Sequence, residues 1–260
     1  MDLGLKDKVV LVTGGAKGIG RGIVDVLAEE GAVAVIVGRN QVDNRAAVAE
    51  LAARGQLAYP VTTELTDDPQ CRRAVDQALS LTGRIDALVN NAGVNDGVGL
   101  AQGNYADFVA SLHKNLTHYY LMAHYALPQL IEHRGSIVNI TSKTAETGQG
   151  GTSGYAAANG GRNALTREWA VELLPHGVRV NAVVVAECYT PLYDRWIHRF
   201  EQPEAKRERI EQRIPLGRRM TTTRELGNAV AFLLSEQSSH TTGQLLHVDG
   251  GYVHLDRAIE

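Results

Sequence analysis

The sequence predicts an α/β fold: a doubly wound, parallel, seven-stranded sheet in a single domain over residues 1–260. Three observations carry this expectation. Seven apolar runs of strand length recur along the chain, the segments between them are long enough for crossover helices, and several runs are continuously apolar, as strands covered on both faces must be. No Pro- or Ser-rich linker, fixed-period repeat or low-complexity tract divides the 260 residues, and 44% hydrophobic content is ample for one core.

The expected strands run from Lys8 to Thr13, Ala32 to Val37, Leu57 to Val61, Ala87 to Asn91, Ser136 to Thr141, Val178 to Val185 and Leu245 to Gly251. Apolar residues at helical spacing, among them Tyr105, Phe108, Leu112, Leu116, Tyr119 and Ala123, predict one long helix from Asn104 to Leu127. A second helix, Ser153 to Leu174, has a small-residue face that includes Ala157, Gly160, Gly161 and Ala164. Two readings of that face stay open, a contact between subunits and packing on the protein's own sheet. The stretch over about residues 186–220, rich in polar and aromatic side chains, reads as a lid over a substrate site.

A formal charge of −3, from 26 Lys+Arg against 29 Asp+Glu, argues against a nucleic acid or an anionic membrane as partner and for a small molecule. Cys71 and Cys188 are far apart without metal-ligand spacing, which fits a reducing compartment. No run approaches about 18 apolar residues and the opening MDLGLKDK has no signal-peptide core, so a cytoplasmic location is expected. His113 and His118 belong to no metal-binding spacing, and no metal is expected; no Gly-x-Ser-x-Gly turn suggests a hydrolase.

Gly14, Gly18 and Gly20, with Lys17 and Ile19, lie between the first strand and the first helix. Glycines there let main-chain N–H groups and a helix N-terminus approach a dinucleotide pyrophosphate. A Walker-type loop fails, because Arg21 and Gly22 stand where its Lys and Ser/Thr belong. After the second strand comes Gly38-Arg39 rather than a carboxylate, so Lys17 and Arg39 are expected to converge on a 2′-phosphate, favouring NADP with NAD as the alternative.

Taken together, TGGAKGIG at residues 13–20, NNAG at 90–93, Ser142 followed by Tyr155, RVNAV at 179–183, Thr190-Pro191, IPLGR at 214–218 and VDGGY at 248–252 resemble the short-chain dehydrogenase/reductase family over nearly the whole chain. The resemblance implies a Rossmann-type sheet, a nicotinamide dinucleotide and a homotetramer or homodimer. It places Asn91, Ala92 and Gly93 by the adenosine ribose, Glu64 and Leu65 by the adenine, and Thr190 by the nicotinamide amide. Val185-Ala186 departs from the family's usual Pro-Gly. The strings SKTAETGQGGTSGY, AECYTPLYDRW and GGYVHLDRA further resemble the L-fucose dehydrogenase branch, which implies oxidation of the C1 hydroxyl of an aldose.

Moving a hydride from an alcohol carbon requires a base for the hydroxyl proton and a donor for the developing oxyanion. Tyr155 and Ser142 supply these groups, and Asn115 matches the family's asparagine that binds a relay water. The family's Tyr-x-x-x-Lys reads Tyr155-Ala-Ala-Ala-Asn159 in this chain. Asn159 can still hydrogen-bond a cofactor ribose but brings no charge, and an unperturbed tyrosine is only about 0.1% phenolate near pH 7. Weakened activity is therefore expected, with three explanations open: a trapping substitution, compensation by another cation such as Lys143 or Arg162, or a catalytically silent NADP-binding protein. Ser142, Glu146, Gln149, Glu187, Tyr189 and Trp196 are the expected substrate contacts, and their polarity suits a sugar or polyol. A generic ketone or alcohol oxidoreductase is the alternative.

Overall fold

The computed structural model describes residues 2–255. Its seven strands are β1 (Val9–Thr13), β2 (Val33–Gly38), β3 (Ala58–Thr62), β4 (Ala87–Asn90), β5 (Ser136–Ser142), β6 (Arg179–Val185) and β7 (Leu245–Val248). All pair in parallel in one sheet of order β3-β2-β1-β4-β5-β6-β7. The helices between them are α1 (Gly18–Glu29), α2 (Gln41–Ala52), α3 (Asp68–Thr82), α4 (Tyr105–Leu112), α5 (His118–Glu132), α6 (Ser153–Glu172), α7 (Pro191–Ile197), α8 (Pro203–Glu211) and α9 (Thr223–Leu234).

The continuous hydrophobicity of the strands follows from two cores. Along β1, Val10 and Val12 face one cluster, with Ile23 and Leu27 of α1 and Leu226 and Val230 of α9. Val9 and Leu11 face the other, with Val75 of α3, Met122 of α5 and Trp169 of α6. Successive side chains point to opposite faces, so a strand covered on both sides has no polar phase left in its sequence.

Most element ends lie within one or two residues of expectation, and the larger differences have local causes. The long helix is two helices joined by a π-helical turn, His113–Thr117, and it extends to Glu132. The Asn115 amide donates to the Ser111 carbonyl at 3.0 Å, four residues back. Such a side-chain bond competes with the helical ladder for that carbonyl. The last strand stops at Val248, because the Asp249 carboxylate accepts from Gly251 and Val253 N–H at 2.8 and 2.9 Å and turns the chain. On α6, Gly161 packs under Leu116, whereas Ala157 and Ala164 are exposed and Gly160 has open space before it.

Arg179 joins β6 to the end of α9. Its guanidinium donates to the carbonyls of Leu233 (2.7 Å), Leu234 (3.2 Å) and Ser235 (3.0 Å) and to the Ser238 hydroxyl (2.9 Å). These are C-terminal helix carbonyls, which lack intrahelical donors and carry the negative end of the helix dipole. Arg179→Ala is expected to lower unfolding stability by about 2–4 kcal/mol, measured as a shift in denaturant midpoint at unchanged m-value.

Candidate active site

The carboxyl ends of β1 and β4 meet at a crevice, where connections leave the sheet in opposite directions. Thr13, wholly buried at the end of β1, ties the two strands. Its hydroxyl oxygen accepts from the N–H of Asn91 (2.8 Å) and Ala92 (3.1 Å), and the Asn91 amide donates back to the Thr13 carbonyl at 2.9 Å. A Cβ on Gly20 would lie 2.2 Å from the Gly14 carbonyl oxygen, so α1 can start this close to the loop only with glycine there. Lys17 occupies the N-cap of α1 without a side-chain cap, which leaves the first-turn N–H groups as donors. A cradle too tight for a Cβ and an uncapped helix start fit a dinucleotide pyrophosphate. Bound there, a nicotinamide dinucleotide supplies the hydride acceptor or donor.

Thr190 caps α7, accepting from Tyr193 N–H at 3.2 Å, and stands over the glycine loop, 3.4 Å from where a Gly18 Cβ would be. Leu65 is buried beyond β3, and the Glu64 carboxylate turns back to the N–H and hydroxyl of Thr66 (3.2 and 3.0 Å). The two cations expected at the ribose are not equivalent: Lys17 is held by Asp43 at 2.8 Å, while Arg39 is exposed and makes no ion pair among the described residues.

Ser142 ends β5 and is buried; its hydroxyl oxygen accepts from Thr144 N–H at 3.3 Å. Tyr155 lies half-buried in the first turn of α6. Asn159 is fully buried, donating its amide to the Tyr155 carbonyl at 2.8 Å and accepting from Arg162 Nη1 at 3.0 Å. Asn115, also buried, accepts from Val94 N–H at 2.7 Å through its side chain. Its main-chain carbonyl takes Arg162 Nε at 2.6 Å.

Around Ser142 the walls are polar. Lys143 is buried and ion-paired with Glu187 from the loop after β6, and its ammonium lies 4.0 Å over the Tyr252 ring. Burial and the Glu187 carboxylate push the Tyr193 phenol upward. Further along the same loop, Glu146 meets His247 of β7 with both oxygens at 3.0 and 3.1 Å, and the His254 ring packs edge-on against His247 at 4.3 Å. Gln149 is exposed in the loop between. Tyr189 and Trp196 are engaged with neighbours in the segment after β6: Tyr189 donates to Asp194 at 2.5 Å under the Arg207 guanidinium, and Trp196 meets the Tyr193 and Phe200 rings edge-on. Residues 256–258, the end of the resemblance string GGYVHLDRA, lie outside the described residues.

Residues 14–253 match the family model described as Enoyl-(Acyl carrier protein) reductase. A 3-oxoacyl-acyl-carrier-protein reductase, FabG, of Thermotoga maritima is 34% identical over 250 residues, covering 96% of this chain and 99% of its own. The chain belongs to the short-chain dehydrogenase/reductase family. Another member, the 1,6-dihydroxycyclohexa-2,4-diene-1-carboxylate dehydrogenase of Acinetobacter baylyi, is 36% identical over 260 residues, covering 94% and 95%. The crystal structure of Cj0485 dehydrogenase superposes with a TM-score of 0.94 at 44% identity, covering 100% of this chain and 99% of that one. Oxidoreductases of this family use a nicotinamide cofactor, NAD or NADP, and this chain carries their fold. No helix among the described residues is long and apolar enough to cross a membrane.

Several residues of this short-chain dehydrogenase escaped the sequence reading. Thr13 was legible as the end of an apolar strand and the start of TGGAKGIG, but its bracing of β4 was not, although a polar side chain in that position is a signal. His247 sits in the apolar run of β7 and gave the same kind of signal. Both thiols are buried and pushed up to about 12, Cys71 by burial and nearby carboxylates and Cys188 by burial and Glu225, so neither has the character of a nucleophile.

His118, behind the Asn115 turn, donates from Nε2 to the Lys114 carbonyl at 3.0 Å. Burial, reinforced by the Arg162 charge, pushes its imidazole down to about 3. Below the ordinary value of 6.5 the unfolded chain therefore binds a proton that the native protein refuses, and stability falls as pH drops from 6.5 toward 3. The slope from this one group is about 1.4 kcal/mol per pH unit. His118→Gln is expected to flatten the decline by that amount between about pH 6 and pH 5, read from denaturant midpoints of the two proteins.

Proposed function

We propose that the protein is an NAD(P)-dependent oxidoreductase that takes hydride from the hydroxyl-bearing carbon of a small polyhydroxylated ring, the C1 hydroxyl of an aldose such as L-fucose, and gives it to NADP. The alcohol loses a hydride to nicotinamide and a proton to Tyr155, leaving a lactone. Ser142 holds the carbonyl oxygen as it forms, and Thr190 closes over the cofactor loop. The observation that carries the substrate class is the polar set that the loop after Ser142 makes with the chain after β6 and around β7: Lys143 with Glu187, and Glu146 with His247 and His254. Side chains of this kind hydrogen-bond ring hydroxyls and would lose solvation against an acyl chain. Assembly of two or four copies through the exposed small-residue side of α6 accords with the same reading.

Asn159 favours a second reading, a protein that binds NADP(H) without turnover. A cofactor-coupled absorbance screen of aldoses and simple alcohols separates the two. Turnover best on an aldose, reduced on the order of 10²- to 10⁴-fold by Tyr155→Phe, is the expected result. Preference for an unhydroxylated alcohol or ketone would replace the sugar by the generic reading, and NADPH binding without any turnover would support the silent one.

The cofactor preference rests on Arg39, whose exposed guanidinium follows β2 while Asp43 holds Lys17. Arg39→Ala is expected to lower kcat/KM with NADP by roughly ten- to a hundredfold, the scale of one charge-assisted phosphate contact, and to leave that with NAD nearly unchanged. Equal losses with both cofactors would reject the assignment.

A further inference from the structure

We propose that Arg162 supplies, from one turn further along α6, the positive charge that Asn159 lacks, and so acts as a positioning residue for Tyr155. The inference rests on the oxidoreductase reading above. Residues 155, 159 and 162 share one face of the helix. Arg162 is only 2% exposed, and no carboxylate pairs with it among the described residues. Its Nε donates to the Asn115 carbonyl (2.6 Å), and its Nη1 to the Ile140 carbonyl (3.2 Å) and to Asn159 Oδ1 (3.0 Å). Nη2 is buried without an acceptor, and it lies 2.9 Å from where a Cβ on Gly93 would be. The guanidinium is therefore aimed at the loop after β4 that borders the cofactor crevice. Its carbon lies 4.1 Å from the Tyr119 ring centre and 5.9 Å from that of Tyr155.

A buried cation without an anion is costly to fold, and uncompensated charge of this kind concentrates at functional sites. Among the described residues nothing around it cancels it. On α5, His118 stays neutral and the Tyr119 phenol, pushed upward by burial, donates to the Ile140 carbonyl at 2.9 Å. Beyond β5, Lys143 is paired with Glu187, and before α5, Lys114 reaches Asp96 at 3.5 Å. Tyr155 must shed its own proton before it can take one from a substrate hydroxyl, and an unpaired positive charge nearby favours that state. Asn159 belongs to the same device. Its oxygen is the acceptor that holds Nη1, so a lysine at this position would remove the acceptor and bring a second cation within hydrogen-bonding reach of the first. Asn159 and Arg162 are thus a matched pair, and restoring the family's lysine alone is expected to harm rather than help.

The test compares pH–rate profiles of the wild type with Arg162→Gln, Arg162→Lys, Asn159→Lys and Asn159→Lys/Arg162→Gln. Arg162→Gln is expected to lose roughly ten- to a hundredfold in kcat near neutrality and to move the rise in rate to higher pH by about one to two units, with little change in KM. Arg162→Lys should recover most of the loss. Asn159→Lys should fall below the wild type, and the double variant should exceed both parents. An unmoved pH profile in Arg162→Gln, or a gain in Asn159→Lys alone, overturns the proposal. If Arg162→Gln does not fold, Asn159→Lys decides by the sign of its effect. If the wild type turns over nothing, the oxidoreductase reading has failed separately. The pairing is then read from the ultraviolet tyrosinate band, with Tyr155→Phe as the subtraction. The Tyr155 component must move to higher pH in Arg162→Gln, or in Arg162→Met if Arg162→Gln is unfolded; an unmoved component overturns the proposal.

Discussion

The site depends on a constraint of parallel pairing: strand order runs away from β1 in both directions, so the chain leaving β1 and the chain leaving β4 must part. That parting opens a crevice at the carboxyl edge, and buried backbone there still needs hydrogen-bond partners. The Thr13 hydroxyl and the Asn91 amide provide them, bonding across the gap between strands whose ladder has ended. The glycine loop rests against this brace, with Gly14 N–H bound to the Val37 carbonyl at 2.7 Å. Floor, cofactor cradle and the start of α1 are consequently one hydrogen-bonded unit, and α7 is added to it through Thr190.

Much of this was legible in the sequence because it is governed by local chemistry and period. Buried strands are apolar on both faces, glycines mark where backbone must pass close, and Ser142 and Tyr155 fall at element ends. What was hidden depends on partners remote in sequence. Lys143 and Glu187 stand 44 residues apart, and nothing in the sequence shows that β5 and β6 bring them together as an ion pair. Lys17 read as a phosphate ligand because nothing in its neighbourhood disclosed Asp43. The π-helical turn was hidden for another reason, since an apolar stripe continues across it with only a change of phase.

On the proposal for Arg162, a motif read position by position misses charge supplied from elsewhere on the same helix face. A catalytic helix presents a face rather than a list of positions, and charge on that face can be delivered by any residue whose side chain is long enough. Here a longer side chain from one turn away reaches the same region and takes the Asn115 carbonyl directly. Asn159 serves Arg162 as a hydrogen-bond acceptor. The gain is an always-ionised group, since a guanidinium stays protonated in a dry interior where an ammonium is more readily neutralised. The cost is rigidity, because its planar donors are committed to backbone carbonyls on two other elements.

The wide turn at His113–Thr117 bears on how the chain tolerates change in length. A π-helical turn is an α-helix that takes up one extra residue by widening, so the helices on either side keep their facing. Deleting a residue of that turn would regularise its hydrogen bonds and leave α4 in place, with the Ser111 hydroxyl still donating to Asp96 at 2.8 Å and seated against Gly154 at the start of α6. What such a deletion disturbs is Asn115, whose side chain holds Val94 N–H and whose carbonyl holds Arg162. The widened turn thus carries the contacts of the site, and the helices on either side carry the packing.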